Sequence, residues 1–75
     1  MRPYLNRSGD SGVLAYEVRA DSIIVRFVET GTYRYDYERP GKTHVERMKE
    51  LARAGQGLAT YITQHVRDNF AAKVA

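Results

Sequence analysis

Between Val13 and Tyr37 apolar and polar residues alternate with a period of two, whereas from Thr43 onward the apolar positions recur every three or four residues. The first pattern is that of strands with one covered face, the second that of amphipathic helices. Three strands follow from it: Val13 to Arg19 (VLAYEVR), Ser22 to Val28 (SIIVRFV) and Thr32 to Tyr37 (TYRYDY), all rich in β-branched and aromatic residues. Ala20-Asp21 and Glu29-Thr30-Gly31 are hairpin-length joints, and Gly31 can supply the positive φ of a bulged loop. The expected sheet is an antiparallel meander.

Alternation assigns Leu14, Tyr16 and Val18, then Ile23, Val25 and Phe27, then Tyr33, Tyr35 and Tyr37 to one uncharged face. The opposite face receives Val13, Ala15, Glu17, Arg19, Ile24, Arg26, Val28, Thr32, Arg34 and Asp36, a mixed and largely wet surface. The three tyrosines of TYRYDY are therefore expected in the core, with their hydroxyls at its rim.

Arg39-Pro40-Gly41 ends the strands, because proline cannot donate to a ladder. A helix is predicted from about Thr43 to Ala54, with Val45, Met48, Leu51 and Ala52 on its covered side, Gly55 terminating it, and Thr43 with Glu46 forming a capping box. After Gly55-Gln56-Gly57, the positions Leu58, Tyr61, Ile62, His65, Val66, Asn69 and Phe70 form one stripe of a second helix. The expected fold class is α+β: a three-stranded antiparallel β-meander followed by two C-terminal α-helices packed on one face. Residues 1–12, rich in Gly, Ser, Asn and Arg, are expected to form a flexible arm without packed structure, and residues 13–75 a single domain.

At 75 residues the chain has room for one small core. It contains no cysteine, which excludes disulfides, thiolate metal sites and thiol nucleophiles. No stretch approaches the roughly 20 apolar residues of a membrane span or has the build of a secretory signal, so a cytoplasmic protein is expected. Nine of the twelve basic residues are arginine and the net charge is +3, a bias toward anionic partners.

Motifs for catalysis are weak. Gly9-Asp10-Ser11-Gly12 resembles the surroundings of a trypsin-like nucleophilic serine, but no base, orienting carboxylate or double barrel accompanies it, and the string reads as a turn. His44 and His65 are the only imidazoles and cannot by themselves complete a metal site; His65, within the apolar stripe, reads as a partly buried packing residue. Gly55-Gln56-Gly57 is too short for a phosphate loop and reads as a helix-helix turn. Neither an enzyme nor a cofactor, metal or small-molecule substrate is expected.

The most function-like feature is the wet sheet face. Arg19, Arg26 and Arg34 fall near one another there and could contact nucleic acid, with Arg2 and Arg7 of the arm adding phosphate contacts. Glu17 and Asp36 share that face and could neutralise the arginines. The alternative is a protein–protein or homo-oligomer interface built on Val13, Ala15, Ile24 and Val28.

Ser11-Gly12-Val13-Leu14-Ala15-Tyr16-Glu17, Ile24-Val25-Arg26-Phe27, Gly31-Thr32-Tyr33-Arg34-Tyr35, a Pro-containing turn, a helix and Ala54-Gly55-Gln56-Gly57 together resemble the KTSC domain family over roughly Ser11 to Ile62. The chain differs from it in lacking a Lys-Thr-Ser-Cys string and in having Leu58-Ala59-Thr60-Tyr61 where a Phe/Asn-rich segment is usual. Such domains are small β-meander-plus-helix modules that occur alone or appended to other proteins, including some lysyl-tRNA synthetases. The resemblance implies a non-catalytic binding module and points toward RNA, without assigning a site.

Overall fold

The residues with the strongest β-branched and aromatic bias occupy the middle of the sheet. In the computed structural model, which describes every residue except Ser8 and Asp10, β2 (Val13–Arg19), β3 (Ser22–Phe27) and β4 (Gly31–Asp36) form the expected antiparallel meander. Part of the expected arm and the acidic member of the Gly9–Gly12 string lie outside the described residues. Two short strands flank the meander, β1 (Arg2–Pro3) beside β2 and β5 (Ala72–Lys73) beside β4, so the sheet has five strands in sequence order.

The flanking strands correct two expectations. Residues 1–7 are packed against the domain: Tyr4 is buried in the core, and its N–H donates to the Leu14 carbonyl at 2.9 Å. Proline in β1 is no obstacle, since a missing N–H is harmless on an edge strand, and the aromatic ring of Tyr4 supplies the apolar area that holds the segment down. At the other end, the second helix is far shorter than its stripe suggests. α2 covers Leu58–Tyr61, a π-helical turn continues through Ile62–Val66, and the chain then leaves the helix axis at Arg67, whose φ is 28°. Leu58, Ile62 and Val66 remain buried on one side. Beyond them the backbone pairs with the open edge of β4, with Ala71 N–H donating to Arg34 O at 2.8 Å and Thr32 N–H to Ala75 O at 3.0 Å. An unpaired sheet edge offers a row of backbone donors and acceptors, and here it competes successfully with helix continuation. Phe70 accordingly packs on Tyr33, ring centroids 4.7 Å apart, instead of on a helix stripe.

A bulge in β2 reverses part of the alternation. Val13 stands opposite Phe27 and Ala15 opposite Arg26, leaving Leu14 as the extra residue. Val13 is thereby turned into the core at 3% exposure, and Leu14, expected inside, is 47% exposed. From Tyr16 onward the strand follows the expected phase: Tyr16, Val25 and Tyr33 form one cross-sheet row, Val18, Ile23 and Tyr35 the next.

α1 (Lys42–Ala54) lies over this face through Val45, Met48 and Ala52. Its C-terminus is closed by Gly55 at φ 74°, whose N–H reaches the carbonyls of Leu51 and Ala52. Its N-terminus has no capping box: Gly41 is the cap residue and no side chain caps it. Glu46 is drawn away by two stronger partners, Lys49 Nζ and the Tyr37 hydroxyl, both at 2.8 Å. Lys49 is 4% exposed, and its Nζ also donates to Ala20 O at 3.1 Å. The Tyr37 oxygen is 3.0 Å from that same carbonyl, but a hydroxyl has one proton and the charged carboxylate is the better acceptor. This assembly ties the β2–β3 turn to the helix. Tyr35 is buried, and Tyr33 and Tyr37 are half-buried with hydroxyls at the rim, as the alternation predicts. Among the described residues no helix is long and apolar enough to cross a membrane.

Candidate nucleic-acid interface

The face of the sheet turned away from α1 is built from three cross-strand rows. Ala15, Arg26 and Thr32 form the first, Glu17, Ile24, Arg34 and Ala72 the second, and Arg19, Ser22 and Asp36 the third. Val74, whose N–H donates to Thr32 O at 2.7 Å, extends the first row. Arg26 and Arg34 stand on the adjacent strands β3 and β4 in a diagonal relationship, which in a twisted antiparallel pair separates Cα atoms by about 7–8 Å. Both guanidinium groups can reach one ligand.

Between them Ile24 is only 7% exposed, although the helices lie on the other face. Its neighbours in register are Glu17 and Arg34. Long side chains at these positions can lay their aliphatic stems over it while the charged heads reach water.

The arginines of this face differ in how far they are neutralised. Arg19 Nε meets Glu17 Oε2 at 2.5 Å, two residues back on the same strand, so its charge is locally satisfied. Arg34 Nε is 3.8 Å from Asp36 Oδ2, a long contact, and the other oxygen of Asp36 is already engaged by the N–H groups of Glu38 and Arg39. Arg26 is exposed and has no carboxylate within ion-pair distance among the described residues.

Arg2 and Arg7 do not join this face. Arg2 is paired with Tyr16, which places it on the helix side of the sheet, beside Arg53 of α1. Arg7 donates from Nε to Ala54 O at 2.9 Å and from its backbone N–H to Gly55 O at 2.7 Å, and so serves the carbonyl end of α1. Sequence reasoning grouped the five arginines because it treated residues 1–12 as a free arm, whereas packing of Tyr4 fixes which way each side chain leaves.

Leu14 and Val28 also open onto the outer face, where with Arg26 and Thr32 they line a shallow groove of about 420 Å³. The histidines lie elsewhere. His44 Nδ1 is 2.7 Å from the Tyr61 hydroxyl, and His65 is an exposed residue stacked 4.5 Å from the Tyr61 ring, not the partly buried packing residue expected from the stripe. The π-helical turn rotates it off the buried side. Among the described residues no three His, Cys, Asp or Glu side chains converge as a metal site.

One residue that sequence reasoning did not single out, Arg53, lines a pocket together with Arg2. Arg53 could have been singled out as the basic residue in the last turn of α1, but only the fold puts it near Arg2. Compared with models of protein families, with curated proteins and with solved structures, the chain matches none.

Proposed function

We propose that this chain is a small non-catalytic module that binds nucleic acid through the outer sheet face centred on Arg26 and Arg34. The observation that carries the reading is the placement of Arg26, an exposed arginine without a carboxylate partner among the described residues, diagonally beside the loosely paired Arg34 on an open β surface. Guanidinium forks match phosphate oxygens, and a β surface can present them to a backbone or groove. The net charge of +3 favours the encounter, and the resemblance to KTSC domains points to a binding module of the same kind. Arg19 acts as a peripheral contact, because a phosphate must compete with Glu17 for it.

Fluorescence anisotropy with single- and double-stranded RNA and DNA at two salt concentrations tests this. Binding that weakens with salt and is lost in Arg26→Ala/Arg34→Ala is the expected result; no salt-sensitive binding at low ionic strength, or unchanged binding in the variant, overturns it.

A second reading is a protein contact or homo-oligomer on the same face, favoured by the exposed apolar side chains Leu14, Val28 and Val74 around Arg26. Light scattering at high concentration decides its self-associating form: a strict monomer removes it.

A further inference from the structure

At the β1–β2 edge of the sheet, a pocket of about 470 Å³ opens toward the last turn of α1, lined by Met1, Arg2, Tyr16, Glu17, Val18 and Arg53. Its position follows from the packing of β1. The register Arg2↔Tyr16 turns the Arg2 side chain toward α1, where Arg53 stands in the last turn.

Three features make this pocket more than a gap. Neither Arg2 nor Arg53 has a carboxylate within ion-pair distance among the described residues, and the one acid on the wall, Glu17, is held by Arg19 at 2.5 Å. Tyr16 is 6% exposed and its hydroxyl has no protein partner among the described residues, yet no enclosed side-chain polar atom there is left unsatisfied. The hydroxyl oxygen is therefore the solvent-reached part of an otherwise buried side chain, and Tyr16 is one of the residues that line the pocket. Finally, the carbonyl end of α1, which would repel an anion, is already occupied: Gly55 N–H bonds Leu51 O and Ala52 O, and Arg7 Nε bonds Ala54 O.

We infer that this pocket binds a phosphate monoester group, with Arg2 and Arg53 as paired guanidinium donors and the Tyr16 hydroxyl as a third, neutral donor. Two unneutralised guanidiniums sharing a pocket call for a ligand of about two negative charges with several acceptor oxygens, which a phosphate monoester has near neutral pH. A monovalent carboxylate satisfies only one of them. The site meets the edge of the outer face at Glu17 but includes neither Arg26 nor Arg34, and it does not depend on that face binding nucleic acid.

The test uses the full chain, with inorganic phosphate and methyl phosphate titrated at constant ionic strength against acetate and chloride controls, followed by amide chemical shifts in NMR. The expected result is saturable shifts around Tyr16 and Arg53, weakened about tenfold in Arg2→Gln/Arg53→Gln and several-fold in Tyr16→Phe, and unchanged in Arg26→Gln/Arg34→Gln. Thermal melts confirm that each variant is folded; Tyr16→Phe keeps the buried ring. Absence of saturation up to about 50 mM phosphate, or equal affinity in a folded Arg2→Gln/Arg53→Gln variant, overturns the assignment. A second arm compares 5′-phosphorylated with 5′-hydroxyl oligonucleotides. Tighter binding of the former that is lost in Arg2→Gln/Arg53→Gln identifies the source as a nucleic-acid end; equal binding of the two oligonucleotides, with the methyl phosphate site retained, identifies it as a small phosphorylated molecule.

Discussion

The hydroxyl of Tyr4 accepts a hydrogen bond from the backbone N–H of Leu58 at 3.3 Å, joining the residue that follows β1 to the start of the second helix across 54 positions of sequence. A helix begins with N–H groups that have no partner inside it, and α2, opened by Gly57, has no side-chain cap of its own. Tyr4 supplies what a local cap would have supplied. Tyr4→Phe is expected to cost about 1 kcal/mol, the loss of one buried neutral hydrogen bond, while Tyr4→Ala costs roughly 3–5 kcal/mol by also removing the ring from the core. Urea denaturation of the two variants separates these contributions; equal and negligible effects would mean that the N-terminal segment is not part of the folded unit.

The bulge at Leu14 sets two neighbours against simple alternation. Leu14→Ser is expected to change stability by no more than about 0.5 kcal/mol, as an exposed substitution does, whereas Val13→Ala costs about 1–3 kcal/mol. Midpoints of chemical denaturation measure both. The reverse ranking would place Leu14 inside and remove the bulge.

The Lys49 ammonium and then the Tyr37 hydroxyl, both bonded to Glu46, hold its carboxyl below the ordinary carboxylate range. A depressed folded-state value contributes stability that is present above the unfolded-state pKa and is lost as pH falls through the folded one. Melting temperatures followed from pH 7 down to about 3 should therefore fall on the acid side, and Glu46→Gln should flatten that limb. Lys49→Met, which keeps the buried stem but removes the donor to Ala20 O and Glu46, is expected to cost roughly 1.5–3 kcal/mol, the range for hydrogen bonds to charged groups.

At the alkaline end, burial, followed by the charges of Tyr33 and Asp68, pushes the Tyr35 hydroxyl up to about 12. Below pH 10 this phenol is protonated in both states and contributes no pH dependence. Above it the unfolded chain loses the proton first, so stability falls between the ordinary value near 10 and the folded value near 12. Ultraviolet titration of the phenolates should show a late step to which Tyr35 contributes, and Tyr35→Phe should diminish it, leaving Tyr37, whose hydroxyl the Glu46 carboxylate also holds above the ordinary value.

For the outer face, the slope of log affinity against log salt reports how many phosphates are contacted. Removing Arg26 and Arg34 together is expected to reduce that slope by roughly 1–2 and to weaken all sequences about equally, whereas Arg19→Ala changes it less because Glu17 already holds that charge. Anisotropy titrations at several salt concentrations provide the slopes.

Much of the meander was legible because its information is local. The period of two from Tyr16 to Tyr37, the two-residue turn at Ala20-Asp21, the helix ending at Gly55 and the burial of the tyrosines all depend on neighbours in sequence, and all are present. The three arginines on the outer face were legible for the same reason: strand phase alone decides the side on which Arg19, Arg26 and Arg34 lie.

Tertiary structure decided the rest. A helical stripe from Leu58 to Phe70 states what a helix would bury, but not that the edge of β4 offers Ala71 to Ala75 backbone partners, and those bonds end the helix at Val66. Thr43 and Glu46 have the spacing of a capping box, but a buried lysine three residues further along the helix is a stronger partner for the carboxylate than a helix N–H. The opening segment contains one aromatic among polar residues, and whether Tyr4 finds a place in the core depends on a gap formed by β2, α1 and Leu58 together. That single insertion sends Arg2 to the helix side and Arg7 to the end of α1, dividing five arginines into two surfaces. Alternation and helical period express preferences of neighbouring residues; which surface a charge reaches is set by long-range backbone pairing and by which aromatic side chain fills the remaining core.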